Sequence, residues 1–230
     1  MENSDEKIEE LTRLNEKLSN YVVGISRNFD LFKFLINYGN DTEKETIKKV
    51  RNKHIEFFGT VTSSVYITTI LTLNNLLDKK SERGLYKYLR KTEQELKYIL
   101  AIDKREEIQK EITDQIRQID SKSNIVSNLK THRDKIYAHF DKDYFYDIKK
   151  LYIDAPLSFG DIHQLIMLCQ EILNWHQQKG SVKCGTFVWG DDYAKHSLRI
   201  VMNNLRRYEK MQIYLQEHQP EIWLEIVKSA

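Results

Sequence analysis

Apolar residues recur at helical spacing along most of this chain. Over residues 5–38 they fall at Ile8, Leu11, Leu14, Leu18, Val22, Ile25, Phe29, Phe32 and Ile36, the steps of one helix face. Gly39-Asn40-Asp41 stops the run, and Asp41 or Thr42 can cap a second helix predicted over residues 42–78. Its middle is rich in Thr, Ser, Val and Ile, which favour strands locally, yet Phe58, Val61, Val65, Leu71 and Leu76 still suit one broad helical face. Leu77-Asp78-Lys79-Lys80-Ser81 breaks the pattern before a short helix near residues 82–100. A long charged helix follows over residues 103–137, bent around residues 120–123, with Ile108, Ile112, Ile116, Ile119, Ile125, Leu129 and Ile136 as apolar positions. Residues 140–157 read as the longest irregular stretch. Ser158-Phe159-Gly160-Asp161 resembles a capping box and predicts a helix to about Gln178. Residues 180–190 read as a loop or a short hairpin. Asp191-Asp192 would cap a helix running to His218, and Pro220 starts a short final one.

Composition agrees with an all-α chain. Only 2 Pro and 8 Gly interrupt 230 residues, which favours long helices over strands and turns. The pattern divides at residue 147: a helical bundle over 1–147, then a loop and helical extension over 148–230 on the same core. Net charge is only +2, which excludes a general nucleic-acid-coating protein, so any RNA contact must be local. One such place is residues 121–150. There Lys122, Lys130, Arg133, Lys135, Lys142, Lys149 and Lys150 outnumber Asp134, Asp141, Asp143 and Asp147 by more than the net charge of the whole chain. Cys169 and Cys184 have no zinc spacing and make no disulfide framework. The acidic, polar N-terminus is no signal peptide, and no apolar run approaches the ~18 residues of a membrane span. A soluble cytoplasmic protein without membrane contact is expected.

The chemistry concentrates in Arg133-Asp134-Lys135-Ile136-Tyr137-Ala138-His139. A guanidinium neutralises a phosphate, and an imidazole moves a proton near neutral pH. Together they can cut RNA without a metal. The bare spacing is weak, since arginines and histidines meet at such distances by chance. No Gly-rich phosphate loop, His-Glu-x-x-His or metal-spaced cysteine pair competes with it. No metal and no cofactor is expected.

The wider text, Leu129-Lys130-Thr131-His132-Arg133-Asp134-Lys135-Ile136-Tyr137-Ala138-His139-Phe140-Asp141, resembles the HEPN superfamily, and within it the AbiU-type branch linked by name to abortive infection against phage. That superfamily carries an Arg, four to six residues, then His, often with a polar residue after the arginine. The run from Thr69 to Asp78 is similar to that branch's second-helix ending. The resemblance covers residues 5–147 well and the C-terminal third poorly. It implies an all-α, HEPN-like helical bundle and a metal-independent endoribonuclease of phage defence or of the toxin type. His139 would act as general base or acid, Arg133 would hold the phosphate and stabilise its transition-state charge, and Asp134 would orient Arg133 or a ring nitrogen. The products would be a 2′,3′-cyclic phosphate and a 5′-hydroxyl, and DNA would be spared for want of the 2′-hydroxyl. Some HEPN toxins carry a tyrosine, modified by an antitoxin, two positions after the histidine; here that position is Asp141. An antitoxin acting at that site is not expected, and an antitoxin or sensor partner of another kind stays open.

Six positions of α-helix amount to about 9 Å of rise and about 600° of turn, so Arg133 and His139 would not share a face. Either the helix ends before His139 or a second chain completes the site. HEPN proteins resemble the second case, and a homodimer is expected. Lys130, Lys135, Lys142, Lys149 and Lys150 are candidate phosphate contacts, and Tyr144 and Tyr146 candidate stacking platforms, unless those aromatics pack on the core. His132 is either an accessory to RNA binding or a solvent-facing helix residue. The rival reading is a non-catalytic HEPN-type helical module that binds RNA or a protein partner.

Overall fold

The computed structural model describes residues 2–36, 48–99, 102–138, 142–179 and 193–229. The proposed caps Asp41, Thr42 and Asp191-Asp192, the loop or hairpin of residues 180–190, Cys184, His139 and Asp141 lie outside the described residues. Among the described residues the chain is helical and has no strand. The helices are α1 (Glu2–Ile36), α2 (Ile55–Leu77), α3 (Leu85–Ile99), α4 (Ile102–Ser121), α5 (Ser123–His132), a π-helical segment (Arg133–Ala138), α6 (Lys142–Tyr146), α7 (Ile148–Asp154), α8 (Phe159–Gln178), α9 (Tyr193–His218) and α10 (Pro220–Ser229). Residues 48–53 are also helical. No described helix is long and apolar enough to cross a membrane.

Four expectations need correction. The second helix does not run unbroken: at His54 one backbone N–H is shared between Val50 O (3.1 Å) and Arg51 O (3.2 Å), a turn that separates residues 48–53 from α2. The strand-prone middle of α2 is helical, and its hydroxyls bond back one turn, Thr60 to Glu56 O and Thr62 to Phe58 O. The long charged helix is two helices, interrupted at Lys122 (φ −96°, ψ 15°), and α5 ends at His132 rather than running to 137. Residues 140–157 are not all irregular: α6 and α7 lie there, the second opened by Asp147, whose carboxylate accepts from Lys149 N. The capping box of α8 is present: Ser158 Oγ accepts from Asp161 N (3.1 Å), and Ser158 N donates to Asp161 Oδ2 (2.9 Å).

The chain forms two compact units, and they do not divide at residue 147. One comprises residues 1–28 and 66–189, the other residues 29–65 and 190–230. The reason is visible in α8, which belongs with the first part of the chain. It buries Ile162, Leu165, Ile166, Cys169, Ile172 and Leu173, the i, i+3, i+4 stripe of an amphipathic helix. Also buried in the first unit are Leu11, Leu18, Val22 and Ile25 of α1, Ile70 and Leu73 of α2, Tyr88 and Leu89 of α3, and Ile112 of α4. A buried polar network fixes the register of these helices. Gln177 donates to Asn15 Oδ1 (2.7 Å) and Ser19 Oγ (3.0 Å), Asn15 donates to the Tyr88 hydroxyl (2.9 Å), and His176 hydrogen-bonds to Gln115 (2.9 Å). Each such group buried without its partner would be costly, so the network admits few alternative packings.

The second unit has its own small core of Phe34, Leu35, Val50, Phe58 and Met202. Leu31, Val61, Leu198 and Leu205 flank it, and the Arg199 guanidinium lies over the Phe34 ring. Lys53 and His54 both approach Glu209 (3.3 and 3.5 Å).

Candidate functional site

Arg133 stands where α5 turns into the π-helical segment. Its backbone N–H meets both Leu129 O and Lys130 O, the last α-helical bonds before the widening. Inserted π turns are frequent at functional positions because they re-aim side chains relative to an α-helix. The α-helical turn per residue therefore does not apply over Arg133–Ala138.

Two carboxylates hold the guanidinium. Nε (2.6 Å) and Nη2 (2.5 Å) both reach Asp134 Oδ1, and Nη1 lies 3.7 Å from Asp78 Oδ2. The last distance is an ion pair but too long for a hydrogen bond. Nη1 therefore makes no hydrogen bond to Asp78. Asp134 thus holds Arg133 through one carboxylate oxygen. Asp78 is the partner that sequence reasoning missed. It ends α2, with its N–H on Asn74 O (2.8 Å) and its Oδ1 accepting from Lys80 N (2.9 Å), and only the fold brings it to Arg133. The turn it opens closes tightly: a Cβ on Gly84 would meet Leu76 O at 2.9 Å and Asn75 O at 3.2 Å.

His132 corrects the sequence reading. It is fully buried, neither facing solvent nor able to touch RNA. Its Nε2 donates to Ala155 O (2.8 Å), which assigns the proton to Nε2 and leaves Nδ1 as a buried acceptor without a partner. Burial pushes its pKa down, partly offset by the bond to Ala155, so the ring stays neutral. Its role is to dock the end of α7 against α5, together with Asn128, which donates to Pro156 O (2.7 Å).

That docking carries part of the predicted substrate loop. Tyr144 donates to Asp154 Oδ2 (3.1 Å), and the Lys150 ammonium lies 5.7 Å from the Tyr144 ring centroid and 3.8 Å from Asp143. Tyr152 sits edge-on to His132 (5.6 Å) yet is half exposed, and Tyr146 is 80% exposed, so neither is a core residue. Lys130, Lys142 and Lys149 are exposed, and Lys135 is half-buried.

Beside the Arg133–Asp78 pair lies a cavity of about 300 Å³, with Asp78 and Lys130 in its wall. A larger one, about 450 Å³, is lined by Tyr21, Thr72, Asn75 and Arg83 and shares no residue with it. The smaller one touches the candidate chemistry. Within its wall Asp120 takes hydrogen bonds from Lys79 (2.6 Å) and the Tyr86 hydroxyl (2.5 Å), which together hold its carboxyl below the usual range.

Among known protein families, residues 8–200 match the one described as AbiU2, of HEPN type. No curated protein and no solved structure matches the chain. The matched stretch runs through α8 into α9, well past residue 147, where the resemblance was expected to fade. It takes in both arms of the Arg133 clamp and the helices that hold them, and with that coverage the chain belongs to the AbiU2 family of HEPN proteins.

Proposed function

We propose that this protein is a metal-independent endoribonuclease of the abortive-infection type, cutting RNA through Arg133 and His139. The observation that carries the reading is the state of Arg133. Its guanidinium is oriented by Asp134 on one edge, and Nη1 lies beyond hydrogen-bonding distance of Asp78. An arginine held this way is prepared to accept a phosphate oxygen without first being ordered, the kind of preorganisation that lowers a barrier. In the proposed reaction the ribose 2′-oxygen attacks the adjacent phosphorus as His139 moves the proton. The 5′-oxygen leaves with a proton, and a 2′,3′-cyclic phosphate remains. Arg133 neutralises the charge that builds on the phosphate oxygens. A C₂ homodimer that brings two such motifs together would complete the site.

One observation favours the rival, a non-catalytic module that binds RNA or a protein. Two of Arg133's nitrogens already share one Asp134 oxygen, so a structural role would account for them. Purified protein incubated with total RNA in EDTA, beside Arg133→Ala and His139→Ala, separates the two. Cleavage by the parent alone, with cyclic-phosphate ends, is the expected result. Equal inactivity of all three would leave the binding module.

A further inference from the structure

We propose that the cavity beside the Arg133–Asp78 pair seats one nucleotide of single-stranded RNA, base inward, next to the phosphate held by Arg133. The inference rests on the ribonuclease reading for its substrate, but on separate residues for its site.

The size is right for one unstacked nucleotide and too small for a duplex: about 300 Å³, at the lower end of small-molecule sites. Its floor is apolar, from Leu77, Ile119 and Val126, which suits the faces of a planar base. Asn74 lines the same space, is 1% exposed, and its Nδ2 has no hydrogen-bond partner. A buried amide N–H left unpaired is uncommon, and the edge of a base offers the acceptor it lacks.

The rim is cationic. Lys79 is committed to Asp120, but Lys80 and Lys130 have no ion-pair partner among the described residues. Lys130 lies three residues before Arg133 on the same helical face, about 4.5 Å along the axis. Ser123, Val126, Ser127 and Lys130 follow one another at i, i+3, i+4 and i+7, so a single stripe of α5 forms one wall and ends at Arg133. A strand with one phosphate on Arg133 and the next at Lys130 would present a base to this wall.

Ser127 is exposed at the cavity's edge, and its backbone carbonyl, not its side chain, accepts from Thr131. Ser127→Trp should therefore fold and fill the space. Full-length His139→Ala protein, which leaves RNA intact under the proposed mechanism, is titrated in EDTA with labelled single-stranded 12-mers of A, U or C. The expected result is a preference of about tenfold for one base, lost on adding Ser127→Trp. Lys130→Glu, a surface change, should weaken every oligomer and lower the salt slope by about one. The matching nucleoside 5′-monophosphate should compete with the preferred oligomer. Its binding without competition would mark a separate small-molecule site and overturn the proposal, as would absence of RNA binding or an unchanged preference in folded Ser127→Trp. Cleavage is scored independently with the His139 protein. Cutting that ignores Ser127→Trp would retain the ribonuclease and remove the nucleotide site. Base preference abolished by Ser127→Trp, without any cutting, would do the reverse.

Discussion

The Nη1 of Arg133 lies 3.7 Å from Oδ2 of Asp78, which ties the end of α5 to the turn after α2. The two side chains are 21% and 25% exposed. An ion pair this long and this hydrated contributes about 1 kcal/mol or less to stability. Its value to the site is angular, since it limits where the guanidinium can swing. Asp78→Asn should leave the melting temperature within a few degrees while slowing RNA cleavage by about tenfold or more. Unchanged cleavage in a folded Asp78→Asn would remove Asp78 from the site.

His132 predicts the opposite pattern. Replacing it with leucine leaves the Ala155 carbonyl buried without a donor and should lower stability by about 1–3 kcal/mol. RNA affinity, measured where the variant remains folded, should change by no more than about twofold. A tenfold loss of affinity in a folded His132→Leu would restore it to the RNA contacts.

Gly84 is needed for space. A methyl group there meets the Leu76 and Asn75 carbonyls, which the end of α2 holds in place. Gly84→Ala should cost about 1–3 kcal/mol by denaturant unfolding, the usual range for an overpacked position. Because the same turn carries Asp78, cleavage should fall more than global stability alone accounts for.

Stability should also fall in mild acid. Burial holds the His176 imidazole neutral and pushes its pKa down to about 3 from an ordinary 6.5. Below about pH 6.5 the unfolded chain takes up a proton that the folded chain refuses. Stability is therefore intact above that pH and drains away as pH falls toward 3, by about 2 kcal/mol at pH 5. His132, shifted the same way by burial, adds to the trend. Urea unfolding at pH 7 and pH 5 measures it, and His176→Gln should flatten the slope. An unchanged slope in that variant would assign the acid sensitivity elsewhere.

The helical pattern was legible because amphipathic spacing is a local property. The stripe of α1 and the Ser158–Asp161 capping box were readable from neighbouring letters alone, since the groups that interact lie within a turn of each other. The Arg133-to-His139 spacing that pointed to the family was readable for the same reason. Residues 48–53 and α2 read as one helix because the turn at His54 leaves the apolar spacing on either side almost intact. His132 was misread because its charge-capable ring gives no sign in sequence of the Ala155 carbonyl that receives it.

By itself, then, the sequence determined the all-α class, most helix positions and the family, all of which depend on short-range spacing and residue type. Tertiary structure alone decided that Asp78 meets Arg133, that α8 shares a core with α1, and that Asn74, Lys80 and Lys130 border one cavity. Those relations join residues far apart in the chain. They are selected by which apolar stripes bury against one another and which buried polar groups find partners, and no local pattern encodes that choice.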